Sequence, residues 1–477
     1  MTAIFDIGRT NKKFFLFDRK FREVYREYAT FPMIADEDGF PCEDIQALTR
    51  WLREVFDRVL ASGEYPVEAV NFSAYGATLV HVDHDGRVLT PVYNYEKPLP
   101  GGLEDAFYGQ YDGDKSGELD RRTGSDRAGM LNSGKQLYWL RHRRPEVFGR
   151  IRHSLHLPQF LSYVFTGIPL SEYTSIGCHT GLWDYEREDY HEWVYAEGVH
   201  RVLPPIVPTE TSINMNYNGR RLRVGVGIHD SSAALLPYLR GERKPFLLVS
   251  TGTWSVSLNP FAEGHLTAVD RAGNCINYLR IDGKPVRAAR LFLGEEYKHQ
   301  TELLARYFNV PTDTHRTVRF TVADYQRARS LPDNCFPLRY LGSSVSVPPR
   351  APALRLPPDT DYGVAYHRLL LELTDHQAAS IEAARGGTKL RKLFVDGGFS
   401  DNEVYVKLLA HRFADLKLRT TDASLGSALG AAVCISDQRL NSKFLKENYG
   451  LRKRQPFLLH PDEVAGPAAP APQATHP

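Results

Sequence analysis

Four stretches of this chain carry side chains that could do chemistry, and each sits at a turn. The first is Asp6-Ile7-Gly8-Arg9-Thr10-Asn11-Lys12-Lys13, preceded by Ile4-Phe5 and followed by Phe14-Phe15-Leu16-Phe17. An apolar run that enters a polar turn and leaves as a second apolar run is the pattern of a β-hairpin. Gly8 permits close approach to the backbone, Thr10 and Asn11 offer side-chain donors, and the turn's own N–H groups can face an anion. Lys12 and Lys13 add positive charge. Asp6, at a strand end beside such a phosphate-facing turn, could hold Mg²⁺ through water. The second stretch, Phe246 to Leu258, repeats the pattern around Ser250-Thr251-Gly252-Thr253-Trp254-Ser255. Two such hairpins, one near the start of each half, could clamp a nucleotide's phosphates from both sides. Either alone is more often only a turn, because Asp and Gly form turns for conformational reasons. The repetition is what argues for a site. Neither is a Walker loop, since G-x-x-x-x-G-K-[ST] does not occur.

The third stretch is Gly227-Ile228-His229-Asp230-Ser231-Ser232, where an apolar strand gives way to a helix. A carboxylate at that edge could accept the proton of a substrate hydroxyl as its oxygen attacks a phosphoryl group. Position alone favours a plainer role for Asp230, the N-cap of the helix, and His229 alone reads as structural. The fourth stretch, Asp396-Gly397-Gly398-Phe399-Ser400-Asp401-Asn402, follows the strand Leu393-Phe394-Val395 and opens a helix. It suits a nucleotide's sugar or phosphate, with a plain strand-to-helix turn as the equal alternative. His81, Asp83, His84 and Asp85 have the composition of a metal site, but they surround a hairpin turn and read as solvated. His191-Glu192 lacks the second histidine of H-E-x-x-H and no G-x-S-x-G occurs, so zinc and serine hydrolases are unsupported.

The elements that position these stretches alternate between strand and helix. After the first hairpin, 23–31 continues as a third antiparallel strand, and 42–61 is an amphipathic helix with Ile45, Leu48, Leu52, Val55, Phe56 and Val59 at helical spacing. A strand at 69–73 ends in Ala74-Tyr75-Gly76-Ala77-Thr78, and a strand–turn–strand runs on to Val92. Residues 100–130 read as loop with short helix. Helices follow at 134–143 and 157–165, an extended connector at 203–208, a strand at 223–227 and a helix at 233–240. Gly241-Glu242-Arg243-Lys244-Pro245 is the best linker. In the second half come a long helix at 364–384 closed by Gly386-Gly387, the strand 393–395, a helix to Phe413, a strand at 416–419 and the helix 423–435, whose small residues fit close helix packing. From about Val464 the Pro- and Ala-rich chain reads as disordered. This is an α/β pattern.

The 477 residues exceed one ordinary core and suggest two domains. A net charge of +2, from 59 basic and 57 acidic residues, gives no electrostatic case for nucleic acid or an anionic membrane. Five scattered cysteines without a C-x-x-C pair fit reduced thiols in the cytoplasm. No apolar run is long enough to span a bilayer, and Met1 leads straight into the first strand without a signal peptide.

Taken in order, these pieces resemble the FGGY family of carbohydrate kinases, within the actin-like ATPase-domain superfamily, over nearly the whole chain to about residue 440. Asp6-Ile7-Gly8-Arg9-Thr10-Asn11 resembles the first phosphate motif, Ser250-Thr251-Gly252-Thr253-Trp254-Ser255 the second, and Asp396-Gly397-Gly398-Phe399-Ser400 with Asn402 the adenosine motif. Gly227-Ile228-His229-Asp230 matches the position of the catalytic aspartate, and Leu203-Pro204-Pro205 and Phe165-Thr166-Gly167 are further family punctuation. The resemblance implies two ribonuclease-H-like domains flanking a central ATP and sugar cleft. The first, 1–241, would bind the sugar and the second, 242–440, the ATP, with 441–477 as an extension. It implies transfer of the γ-phosphoryl of Mg·ATP to a sugar hydroxyl, with Asp230 as the base and Asp6 on the metal. Arg9, Thr10, Asn11, Lys12, Lys13, Thr251, Gly252, Thr253, Gly397, Gly398, Phe399 and Asn402 would hold ATP. Tyr75, Gly76, Ala77, Glu96, His229 and Asp230 would meet the sugar. Ser73-Ala74-Tyr75-Gly76-Ala77 and Glu172-Tyr173-Thr174-Ser175 are similar to segments of L-rhamnulose kinases, which points to L-rhamnulose or L-fuculose. The alternatives are a pentulose or polyol kinase and a non-catalytic ATP-responsive binding protein; an actin-like filament subunit fits poorly. The chain departs from the family at Arg9, at Pro158-Gln159 in place of Asp-Tyr, and at Asn94-Tyr95-Glu96. Pairing as a homodimer is an expectation by analogy.

Overall fold

The computed structural model describes residues 1–113, 117–341, 354–422 and 425–457, without the side chain of Ser442. The apolar runs on either side of the first turn become β1 (Thr2–Ile7) and β2 (Lys12–Phe17), paired antiparallel with Asp6 opposite Lys13 and Ile7 opposite Lys12. β3 (Glu23–Ala29) extends this meander. Both faces of the hairpin are buried, which is why its strands are continuously apolar rather than alternating. Ala3, Phe5, Phe14 and Leu16 enter one core, and Ile4, Phe15 and Phe17 enter another.

The first core is closed by α1 (Ile45–Ser62), whose apolar stripe was legible in the sequence. Asp44 caps it by accepting from Gln46 and Ala47 N–H groups, and Gly63 ends it in the left-handed region. β4 (Ala69–Ala74) then lies parallel to β1 with Asp6 beside Ser73 and Ile7 beside Ala74. α2 (Leu157–Thr166) packs on the same core. β5 (Ser212–Tyr217), β6 (Arg220–Gly225) and β7 (Ile228–His229) complete the first sheet, in the order β5-β6-β4-β1-β2-β3, with β7 also paired to β4. The step between β6 and β7 turns on Gly227, whose φ is +88° and whose Cβ, if present, would lie 2.5 Å from the Pro158 carbonyl oxygen. Asn71, fully buried, accepts from the Gly227 N–H and so fixes that step. β7 leads directly into α3 (Asp230–Gly241).

The second sheet repeats the plan. β8 (Phe246–Thr251) and β9 (Ser255–Asn259) form the second hairpin, β10 (Cys275–Leu279) and β11 (Pro285–Leu291) extend it, and β12 (Lys392–Gly397) and β13 (Lys417–Thr420) lie parallel to β8 on its other side. A short β14 (Arg452–Lys453) closes the edge, giving the order β10-β11-β9-β8-β12-β13-β14. Apart from the additional β10, each half has the same arrangement: three antiparallel strands, then two parallel ones reached by helical crossovers, then an antiparallel edge strand, β5 in the first sheet and β14 in the second. α4 (Leu293–Phe308), α5 (Tyr362–Arg385) and α6 (Glu403–Arg412) bury their apolar sides in the core of this half. α7 (Gly426–Cys434) crosses α3 between the sheets, where a third core gathers Ile4 and Phe15 from one sheet and Phe246, Leu248 and Phe394 from the other. The small-residue face read as close packing is that: a Cβ on Gly430 would lie 1.8 Å from the Ala233 carbonyl oxygen.

Several expectations shift. The strand expected to reach Val92 is reduced to isolated bridges at Val88 and Val92. His81 is not solvated: it is fully buried on a strand and its Nδ1 bonds Ser154 Oγ at 2.9 Å, because polar neighbours at 83–85 hid its place in a buried alternation. The stretch 100–130 holds helices at Leu103–Tyr111 and Glu118–Thr123. α3 continues through Gly241, and β14 carries the second sheet beyond residue 440. The Pro- and Ala-rich tail and the start of the helix at 423–424 lie outside the described residues. Among the described residues no helix is long and apolar enough to cross a membrane, and all five cysteines are free and buried.

Candidate active site

Parallel pairing brings the ends of β1, β4 and β7 to one level. Asp6, Ser73 and Ile228 are in register, as are Ile7, Ala74 and His229, and Asp230 stands one residue beyond. Ligands of α/β sheets gather at this carboxyl edge. Asp6 is buried, and its pKa is raised, first by that burial and further by the Asp230 charge, against the opposing pull of Lys13. Lys13 Nζ lies 3.6 Å from Asp6 Oδ2 and keeps 30% of its side-chain surface open. The donors at this corner are carboxylate and hydroxyl oxygens, with Ser73 Oγ buried beside the Asp6 carboxylate. Such a set fits a hard cation held through water.

Asp230 is not the N-cap that position favoured. His229 occupies the cap and Asp230 is the first residue of α3. Its Oδ1 accepts from the Ser231 N–H at 2.6 Å and lies 3.4 Å from His229 Nε2. The side chain keeps 36% of its surface open, but protein encloses it on the other sides, and that desolvation pushes its pKa up to about 6. A carboxylate poised there is ionised at neutral pH and basic enough to take a proton.

Strand alternation divides the two lysines of the turn. Lys13 shares a face with Asp6. Lys12 points into the core, 2% exposed, where its ammonium pairs with Glu43 at 2.7 Å and donates to the Gly8 and Arg9 carbonyls. Lys12 is therefore committed to structure and does not face the turn's outer side with Thr10 and Asn11, which are exposed. Tyr75 belongs to the same network, its hydroxyl donating to Glu43 Oε2 at 2.9 Å. The two departures in sequence meet in space: Arg9 donates to Asn94 Oδ1 and Glu96 Oε2 and lies 4.5 Å from the centre of the Tyr95 ring. Tyr95, which the sequence marked only as part of a departure and not as a site residue, stands against Tyr75 with ring centroids 6.4 Å apart.

Gly76 and His229 come together. A Cβ on Gly76 would lie 2.8 Å from His229 Nε2, so the missing side chain is what leaves the imidazole room. Ala77 is buried with φ at +58°, a conformation costly for a residue with a Cβ; its carbonyl is fixed by Gln136 Nε2 at 2.8 Å. Behind His229 lies Glu172, fully buried and raised in pKa by desolvation. It accepts from the Thr174 hydroxyl at 2.9 Å, the Thr209 hydroxyl at 2.6 Å and Gln159 Nε2 at 3.3 Å, and Thr174 Oγ1 in turn accepts from the His229 N–H. Gln159 thus ties a third departure to the same support.

In the second half the hairpin turn rests on glycines. A Cβ on Gly397 would lie 1.8 Å from the Thr251 carbonyl oxygen, and one on Gly294 would lie 2.1 Å from the Gly252 carbonyl oxygen. Thr251 Oγ1 bonds the Asp396 carbonyl and accepts from the Phe399 N–H, joining the two predicted motifs. Thr253, at the exposed tip, accepts from the Gly294 N–H through its carbonyl. Gly252, Gly398, Phe399 and Asn402 line one cavity of about 600 Å³, where Gly398 faces open space. Tyr297, His315, Arg316, Arg319 and Tyr366 are among its other lining residues and were not foreseen. Asn402 caps α6 through Oδ1 and donates through Nδ2 to Tyr366 Oη at 2.8 Å. Asp396 is buried below, its pKa pushed up to about 6 by desolvation.

Residues 1–229 match the model of the FGGY family of carbohydrate kinases, N-terminal domain, and residues 243–328 match that of the carbohydrate kinase FGGY, C-terminal domain. The rhamnulokinase of Klebsiella pneumoniae subsp. pneumoniae is 25% identical over 254 residues, 50% of this chain and 49% of that protein, so the match spans about half the length of the curated relative. The crystal structure of a carbohydrate kinase from Novosphingobium aromaticivorans is similar over 95% of this chain and 94% of its own, with 25% identity and a TM-score of 0.78. The xylulose kinase of Rhodospirillum rubrum shares the fold over 96% of this chain and 94% of its own, at 16% identity and a TM-score of 0.75. With both sheets, both hairpins and both family domains in place, the chain belongs to the FGGY family of carbohydrate kinases.

Proposed function

We propose that this chain transfers the γ-phosphoryl group of Mg·ATP to a hydroxyl of a ketose, with Asp230 as general base. The observation that carries this reading is the Asp230 carboxylate, raised to about 6, beside Asp6 and one residue beyond His229. The base takes the proton of the sugar hydroxyl while its oxygen forms the new bond to phosphorus, and ADP leaves with the electron pair of the broken bond. Asp6 would hold Mg²⁺ through water, and the ion would neutralise charge on the phosphate oxygens. Lys13, Arg9 and the N–H groups of the two turns, with Thr10, Asn11, Thr251, Gly252 and Thr253, would bind the phosphates. The cavity lined by Gly398, Phe399, Asn402, Tyr297 and Tyr366 suits adenosine, offering aromatic walls and polar ends. Lys12 is left out because its charge is already paired. On the acceptor side, Tyr75, Gly76, Ala77, Glu96 and His229 would frame the sugar.

For the sugar we favour an L-deoxyketohexose, L-rhamnulose or L-fuculose, on the partial match to a rhamnulokinase. The similarity in fold to a xylulose kinase supports a pentulose as the second reading. The five unbonded cysteines fit a cytoplasmic site of action. ADP release with Mg·ATP over L-rhamnulose, L-fuculose, L-ribulose, D-xylulose, L-xylulose and glycerol tests both readings. One preferred ketose, with turnover lost in Asp230→Asn, is the expected result. Turnover unchanged in the variant would sink the assignment of the base, and none on any sugar would sink the ketose.

A further inference from the structure

The acceptor side contains a group of three donors, of which the proposed transfer uses only His229, to frame the sugar. Cys178 Sγ, His179 and His229 each present a ligand atom, all within 4.8 Å of one another. Cys178 Sγ is already 3.2 Å from His229 Nε2. A tetrahedral zinc, with Zn–S near 2.3 Å and Zn–N near 2.0–2.1 Å, requires donors roughly 3.3–3.6 Å apart. The Cys178–His229 pair is within a few tenths of an ångström of that spacing, and the third donor needs only a ring adjustment of about an ångström. Among the described residues His229 Nδ1 is buried with no hydrogen-bond partner, so the imidazole is not locked by a second bond. The space in front of Nε2 exists because Gly76 has no side chain: a Cβ there would lie 2.8 Å from Nε2 and 3.5 Å from His179 Cε1. His179 is half-buried, with φ at +41°, a strained backbone of the kind that clusters at functional positions, and supplies the open side of the group. Tyr278, from β10 of the other half, closes over the two imidazoles at 6.2 Å from each.

We propose that Cys178, His179 and His229 form a binding site for a thiophilic divalent cation of the Zn²⁺ class, and that its occupation shuts off the acceptor site. The inference rests on the kinase reading for its consequence but not for the site itself. One thiol and two imidazoles suit zinc and do not suit Mg²⁺, which prefers oxygen ligands and keeps its waters, so the site is separate from the one at Asp6. Binding releases the Cys178 thiol proton as the sulfur–metal bond forms. It takes His229 Nε2, which lies 3.4 Å from Oδ1 of the proposed base. A cation there occupies the place proposed for the sugar and pairs with the carboxylate that must accept its proton.

The test begins with Co²⁺ alone, titrated into the full-length protein without sugar, ATP or Mg²⁺. A thiolate-to-cobalt charge-transfer band that zinc displaces is expected. Cys178→Ser and Cys178→Ala, which leave the other four cysteines in place, should lose the band and weaken zinc binding by ~100-fold or more, beyond what loss of an indirect support for a metal ligand costs. A band that survives in both variants, or no band in the parent, overturns the site. With a turned-over ketose in hand, zinc should inhibit competitively against the sugar in the parent and not in Cys178→Ser, whose own turnover is retained. Inhibition that competes with Mg²⁺ and persists in the variant overturns the regulatory part. Failure of the kinase reading would show as absent turnover with the cobalt band intact.

Discussion

Replacing Asp230 by Asn should make this protein more stable and inactive at once. Enclosure raises the carboxyl from 3.8 to about 6, so at neutral pH the folded chain carries a charge that the unfolded chain would carry more easily. At ~1.4 kcal/mol per pH unit the difference sets a ceiling of ~3 kcal/mol. The side chain is 36% open, and solvent screening at that exposure cuts the figure to ~1–2 kcal/mol. Because the folded value lies above the unfolded one, the stability tied to this group is complete below about pH 4 and lost as pH rises through about 6. Asn is neutral throughout and can still accept from the Ser231 N–H. Paired thermal melts should therefore place the variant ~1–2 kcal/mol above the parent at about pH 8 and level with it at about pH 4. Turnover should fall by ~10²–10⁴ on loss of a general base, and in the parent it should rise with pH through about 6. A variant that is destabilised equally at both pH values would refute the argument, since Asp230 would then be a structural hydrogen-bonding group.

The two lysines of the first turn should separate cleanly. Lys12→Met leaves Glu43 buried and unpaired and should cost ~3–5 kcal/mol in urea unfolding, whereas Lys13→Met should leave stability nearly unchanged and raise KM for ATP. Gly430→Ala drives a Cβ against the Ala233 carbonyl and should cost ~1–3 kcal/mol as α3 and α7 are forced apart, measured by the shift in melting temperature. Tyr366→Phe removes the nearer of two tyrosine hydroxyls that accept from Asn402 Nδ2 and should raise KM for ATP by roughly 2- to 10-fold while leaving KM for the sugar alone. Glu96→Gln breaks a largely exposed pair with Arg9 and should change stability by less than ~1 kcal/mol; a larger loss in unfolding experiments would show that the pair props up the fold.

Much of this architecture was legible because it is local. The hairpins announced themselves through apolar runs around polar turns, α1 through its apolar stripe, and the close packing of α7 through its small residues. The fate of Lys12 was legible too, since it alternates with Phe14 and Leu16 on the buried face, but charge drew attention from period. His81 failed for the opposite reason: its polar sequence neighbours masked a strand buried from both sides. Tyr297, His315, Arg316, Arg319 and Tyr366 carried no signal, because they arrive at Asn402 from α4, a loop and α5 and meet only in the folded chain. The same holds for Arg9 with Asn94, Tyr95 and Glu96, which look like separate departures in sequence and form one contact in space.

The return of α7 to the first sheet means that the chain's linear order and its physical partition differ. α7 lies against β1 and β4, and its Ala431 carbonyl accepts from the Asn71 amide at 2.8 Å, across 360 residues of sequence. A fragment cut at the linker would keep every strand of the first sheet yet lose the lid on one of its faces, baring Ile4 and Phe15 and stranding the Asn71 donor. Separately expressed halves should accordingly be poor autonomous folders and good complementation partners. A permuted chain that opens elsewhere and keeps α7 continuous with the first half should tolerate the cut better.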